Sequence, residues 1–155
     1  VGHRRMTKRL VVWLVAAFVP AAVGAPFPAP DYYADLRKPA WAPPPWLFGP
    51  VWTVLYAMIG VAAWLVAKRG GSGTRPALGL WGGQLVLNAA WTPIFFGLRA
   101  PGAALAEIGV LWVAVAATTV AFFARRTAAG ALMLPYLAWV SFATLLNFAI
   151  WRLND

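Results

Sequence analysis

Three apolar stretches each offer a face with a deep tryptophan, and two of them add amides, a chemistry suited to gripping a flat guest. At 100° per residue, Gln84, Asn88, Trp91 and Phe95 fall on one narrow helix face. Tyr136, Trp139, Ala143 and Asn147 follow i, i+3, i+7, i+11 spacing, a second continuous stripe. Trp52 and Tyr56 stand one turn apart in the third stretch. Indole and phenol rings stack on planar molecules and keep a polar handle. Ala143 leaves space beside Trp139. Amides are costly in lipid unless paired, so Asn88 and Asn147 bond either to another helix or to a ligand.

Tryptophan is abundant, with ten in 155 residues. Trp13, Trp46, Trp81 and Trp151 lie near the ends of apolar runs, where tryptophan commonly forms an interfacial belt. Trp52, Trp91, Trp112 and Trp139 lie about 9–21 Å inside their runs at 1.5 Å per residue. A belt does not explain those four. They line a cavity or pack between helices.

Other chemistries are excluded by what is missing. There is no cysteine, and the only histidine, His3, sits in a basic tail. Disulfides, thiolate catalysis and a metal centre are therefore not expected, and no cofactor is implied. No glycine-rich phosphate loop or paired carboxylates are present. Glu107 is the only acid within an apolar run. An intramembrane acid is a functional candidate by default, but this one lies near a span start, within expected reach of water or Arg99.

The elements that must position these side chains are membrane helices. The chain is 62% hydrophobic and 11% charged, against roughly 25% charged in soluble domains. The formal charge of +9 does not point to nucleic acid, because the cations sit between apolar runs rather than in a patch. Five runs, at about 8–25, 46–67, 77–98, 101–124 and 130–152, approach the roughly 20 residues that cross a bilayer. The expected architecture is an all-α, five-transmembrane-helix bundle forming a single domain over residues 1–155, with a lid loop at 26–45. The first run also has the basic head and small-residue end of a cleavable signal peptide. Four further spans need no such signal, so it is read as a helix.

Arg4, Arg5, Lys8, Arg9, Lys68, Arg69, Arg75, Arg125 and Arg126 share one face of this topology; Arg37, Lys38, Arg99 and Arg152 share the other. The imbalance places the N-terminus in the cytoplasm and the lid outward. Gly79 and Gly83 make a GxxxG spacing that lets a helix approach closely, either from this chain or from a second copy.

The lid itself is stiffened. "RKPAWAPPPWLFGPVWTVLYAMIG" holds five prolines and three tryptophans. Proline limits the open states of a loop and so lowers the entropy lost when it closes. Trp41 and Trp46 are its expected anchors, and Pro44 or Pro45 its expected helix start. Pro20, Pro50, Pro93 and Pro135 fall inside the spans, where such defects are tolerated against protein or a cavity.

"LRKPAWAPPPWLFGPVWTVLYAMIG", "NAAWTPIFFG" and "LPYLAWVSFATLLNFAIWRLND" together resemble the tryptophan-rich sensory protein or translocator protein family, TspO. The resemblance implies a five-helix bundle in a bacterial membrane, commonly a homodimer, with a ligand pocket beneath the first loop. It implies binding of porphyrins, haem precursors and isoquinoline- or benzodiazepine-type drugs, in tetrapyrrole sensing, regulation or transport. By motif, Trp52 and Trp139 would be pocket walls and Asn88 a polar contact. Tyr33, Pro43 and Ala143 match lining or lid positions, and Trp41 would hold the lid. Lys38 or Arg37 would meet propionates at the entrance. The resemblance also implies an alternative, light-dependent porphyrin degradation at Trp52 and Trp139. Where relatives carry a cholesterol motif this chain reads "LLNFAIWR", with Phe148 and Ala149 in place of tyrosine, so cholesterol handling is doubtful.

Overall fold

Proline and glycine punctuate the chain, and the helices between them follow. The computed structural model describes residues 2–25 and 30–155. Among the described residues there is no strand. The first run is bent into α1 (Gly2–Ala17) and α2 (Val19–Gly24). Pro20 has no N–H to offer the turn before it, and the Phe18 N–H is shared between the Leu14 and Val15 carbonyls at 3.2 Å each. A short α3 (Pro30–Asp35) follows.

A 3-10 turn, Pro45–Leu47, leads into α4 (Phe48–Arg69). Gly70 and Gly73, with φ of 66° and 86°, turn the chain into α5 (Thr74–Thr92). Arg125 donates from Nη2 to the Gly70 carbonyl at 3.2 Å, and a Cβ on Gly73 would lie 3.0 Å from its Nη1. Both the left-handed backbone and the seat for this guanidinium require glycine there. At Pro93 the helix widens into a π turn, Pro93–Gly97, closed by the Leu98 N–H on the Pro93 carbonyl at 2.9 Å. Then come α6 (Pro101–Arg125), with proline in its first position, and α7 (Thr127–Asn154).

Four helical stretches among the described residues are long and apolar enough to cross a membrane: His3–Gly24, Pro45–Arg69, Pro101–Arg125 and Thr127–Asn154. The expected span at 77–98 forms α5 and its π turn but is not apolar enough to join them. Arg75, Gln84, Asn88 and three glycines dilute it. The lid also differs from expectation. Residues 26–29 lie outside the described residues, and the rest is not one continuous loop, because α3 interrupts it before an irregular stretch at 36–44. Pro30 at the first helical position and Asp31 in the first turn favour that helix start.

α6 packs along α7 and α5, α4 packs on α7, and α1 packs on α4. The α1–α4 approach is close at Gly60, where a Cβ would stand 3.2 Å from the Leu14 Cα. The main core holds Ile59, Val66, Leu111, Phe122, Met133 and Val140. A second, smaller cluster of Phe95, Ala104, Leu146 and Ile150 lies under Tyr32, Tyr33 and Leu36. It is the second cluster that seats the segment after α3 on the bundle.

Candidate ligand site

The predicted stripes point inward and meet. On α5, Gln84 and Asn88 are buried and Trp91 is half-buried, and Phe95 is buried in the π turn that follows; on α7, Tyr136 and Asn147 are buried. The Tyr56 hydroxyl donates to Asn88 Oδ1 at 3.2 Å, and Asn88 Nδ2 donates to the Tyr136 hydroxyl at 2.7 Å. Tyr136 in turn donates to Gln84 Oε1 at 2.6 Å. Three helices are thus tied by one chain of hydrogen bonds. Asn147 is also taken up within the protein. It accepts from Trp91 Nε1 at 2.9 Å and donates to the Pro101 carbonyl at 2.9 Å. For both amides the interhelical alternative is the one formed.

Above this network lies a group of rings. Trp52 stacks on Tyr56 at 5.3 Å and meets Trp139 edge to face at 6.3 Å, with an interplanar angle of 89°. Phe48 meets Trp139 at 5.9 Å and Tyr33 at 6.2 Å, both edge to face. Tyr33 also touches Phe96, which continues to Trp91. The structure therefore joins Tyr33 to Trp139, and through Trp139 to Trp52, by way of Phe48, a residue the sequence stripes did not single out. Its place in the first turn of α4, one turn before Trp52, is the signal that would have found it.

Two donors in this group have no partner. Both Trp139 Nε1 and the Tyr33 hydroxyl are buried and make no hydrogen bond. Burial also raises the Tyr33 pKa above its usual value, so the hydroxyl keeps its proton at neutral pH. Buried donors are nearly always paired, and each orphan costs about 1–3 kcal/mol. Trp52 and Trp139 do not form the two parallel walls of a slot, however. A sandwich needs rings about 7 Å apart and parallel, whereas these are perpendicular and in contact, the arrangement their quadrupoles favour.

Other expected residues are placed as follows. Ala143 is half-buried and packs on the main core beside Trp139. Pro43 is half-buried in the irregular stretch. Trp41 lies edge-on to Phe142 at 5.7 Å, while Trp46 is 71% exposed and anchors nothing. Lys38 is not free to meet an anion. Its Nζ donates to the carbonyls of Tyr33 and Leu36 at 2.8 and 3.1 Å, closing the end of α3, and lies over the Tyr33 ring. Arg37 presents an exposed side chain, and its backbone is clasped by Asn154, which accepts from its N–H at 2.9 Å and donates to its carbonyl at 2.8 Å.

Several sequence expectations are corrected. Trp81 is not at the interface; it is 3% exposed and donates to the Ile59 carbonyl at 3.1 Å. Trp112 does not join the aromatic group, since it is 39% exposed and donates to Ser141 Oγ at 2.7 Å. Glu107 does not reach Arg99; both its oxygens are buried without a partner, and Arg99 lies over the Tyr32 ring at 5.1 Å. Gly79 and Gly83 are exposed, and a Cβ on either would meet nothing within 4 Å, so no other described helix of this chain uses that face.

Residues 10–152 match the TspO/MBR family model. The human translocator protein is 49% identical, the match covering 79% of this chain and 75% of that protein. The tryptophan-rich sensory protein of Cereibacter sphaeroides is 45% identical over 93% of this chain and 90% of its own. The tryptophan-rich protein TspO of Chlorobaculum tepidum is 41% identical over 96% and 99%. With a match across nearly the whole chain and apolar helices to carry it, the chain belongs to the TspO/MBR family of integral membrane proteins.

Proposed function

We propose that this protein binds a flat, partly anionic tetrapyrrole among Tyr33, Phe48, Trp52 and Trp139, beneath the segment that follows α3. One observation carries the reading: two buried donors, Trp139 Nε1 and the Tyr33 hydroxyl, stand unpaired within a group of rings. A guest with carbonyl or carboxylate acceptors and a wide π face would satisfy both. Entry parts the Trp52–Trp139 contact, so that one ring face becomes available for stacking. Pro43 and Trp41 line the cover, Asn88 lies below with Tyr56, and Arg37 offers a cation to a propionate at the edge. Isoquinoline- or benzodiazepine-type drugs, flat and bearing carbonyls, fit the same description. The names of the relatives, tryptophan-rich sensory protein and translocator protein, speak of sensing and of translocation and name no ligand.

In this reading α5 crosses the membrane as a fifth span, its amides turned inward, and the N-terminus lies in the cytoplasm of a bacterial cell. The open face of Gly79 and Gly83 meets a second copy in a homodimer. Crosslinking of Gly83→Cys in membranes yields a dimer adduct; its absence removes that interface.

The test of the ligand is a tryptophan-quenching titration with protoporphyrin. Trp52→Phe and Trp139→Phe each weaken binding about tenfold; unchanged affinity in both removes the site. A second reading is favoured by the direct contact of Trp52 with Trp139. In light, porphyrin bound against the same pair would be oxidised by dissolved oxygen, which takes up the electrons while the indoles act as relays. Loss of porphyrin absorbance in wild type, abolished in both variants, supports that enzyme; equal bleaching in all three rejects it.

A further inference from the structure

Away from this site, the basic ends of α1 and α4 enclose a recess of about 250 Å³ lined by Met6, Arg9, Trp13, Trp64, Ala67 and Lys68. Its floor is apolar, and two cations stand on its rim. Lys68 Nζ lies 5.0 Å over the Trp64 ring, which holds the ammonium beside the opening. Trp13 is fixed from behind by an edge-to-face contact with buried Trp81 at 5.4 Å. Trp81, Trp91 and Trp112 donate their indole N–H groups within the protein. Trp13 and Trp64 make no such bond among the described residues, and both are half-buried with room to donate outward.

We infer that this recess binds the headgroup of one anionic phospholipid. Three features converge on that chemistry. Arg9 and Lys68 belong to helices whose apolar lengths are suited to a membrane, so the rim lies where headgroups lie. Arginine pairs a phosphate through two donors at once and lysine adds a point charge, a combination that favours a net negative headgroup over a zwitterionic one. The two indole N–H groups suit the ester carbonyls just below the phosphate. The volume agrees as well. Sites that enclose a whole small molecule measure about 300–1,000 Å³, and this one is smaller, so it takes a headgroup while the acyl chains remain in the bilayer. Bound there, the lipid would bridge α1 to α4, and the span that α1 forms with α2 has the least burial in the protein, 11% of its apolar window against 33–39% for the other three apolar spans.

Native mass spectrometry of the full chain tests this, with phosphatidylglycerol and phosphatidylcholine titrated in separate arms. Wild type retains one phosphatidylglycerol about twentyfold more tightly than phosphatidylcholine, at about fivefold per cation. Arg9→Gln/Lys68→Gln removes that preference. Arg4→Gln/Arg75→Gln loses the same charge from exposed positions outside the recess and keeps it. Millimolar inorganic phosphate does not displace the lipid. The inference is overturned if the first variant keeps its preference, if the second loses it equally, or if free phosphate competes. The first result would mean no site, the second a diffuse attraction of charge, and the third a bare anion site.

Discussion

Two aromatic regions sit one above the other inside this bundle and differ in how their polar atoms are treated. In the deeper one, Tyr56, Asn88, Tyr136 and Gln84 form a chain of short hydrogen bonds across α4, α5 and α7, and only Gln84 Nε2 is left without a partner. In the upper one, Tyr33, Phe48, Trp52 and Trp139 touch ring to ring, yet neither the Tyr33 hydroxyl nor Trp139 Nε1 finds an acceptor. A linked network fixes the relative positions of helices. An unlinked pair of donors lowers stability until something supplies acceptors. The difference separates a part whose polar atoms tie the helices together from a part whose donors are left over, the part we propose as the ligand site, although both include tyrosine.

Mutations should therefore act oppositely in the two regions. The largest effect is expected at Tyr136→Phe, which strands Asn88 Nδ2 and Gln84 Oε1. It should destabilise the protein by about 2–3 kcal/mol, seen as a lower unfolding temperature in detergent; an unchanged temperature would break the comparison from the deep side. Next is Trp139→Phe. It should cost about tenfold in protoporphyrin affinity while leaving ligand-free stability within about 1 kcal/mol, measured by titration and unfolding together. Tyr33→Phe should weaken binding about fivefold and raise ligand-free stability slightly, because it deletes an orphaned hydroxyl. The smallest effect belongs to the clasp on the cover. Asn154→Ala releases the Arg37 backbone and should speed ligand dissociation about threefold in stopped-flow quenching, with equilibrium stability little changed. If release is not faster, the segment after α3 does not gate the site.

Much of the deep region was legible in the sequence, because helical spacing alone puts Gln84, Asn88 and Phe95 on one face and Tyr136 with Asn147 on another. What spacing along one helix cannot give is azimuth relative to the others. Trp81 lies near a span end and reads as a belt residue, but it faces α4 and bonds to Ile59. Trp112 lies deep and reads as interior, but Leu111 and Val115 take the buried face of α6 and leave it outward. The cover was harder still. α3 is only six residues long, so nothing in the pattern announced it, and with it went the role of Lys38 as the group that closes its end. The Arg37–Asn154 clasp joins positions 117 apart and has no local trace. Phe48 belongs to neither stripe, yet it is the ring on which Tyr33 and Trp139 both rest.

The proposal that the upper region is a ligand site can be tested most directly with one protein and one probe. Thermal unfolding of Tyr33→Phe in detergent, with and without protoporphyrin, reads both consequences of the orphaned donor. The account predicts an unfolding temperature equal to or above wild type without ligand and a smaller upward shift when protoporphyrin is added. A lower temperature without ligand, together with a ligand-induced shift as large as that of wild type, would contradict it.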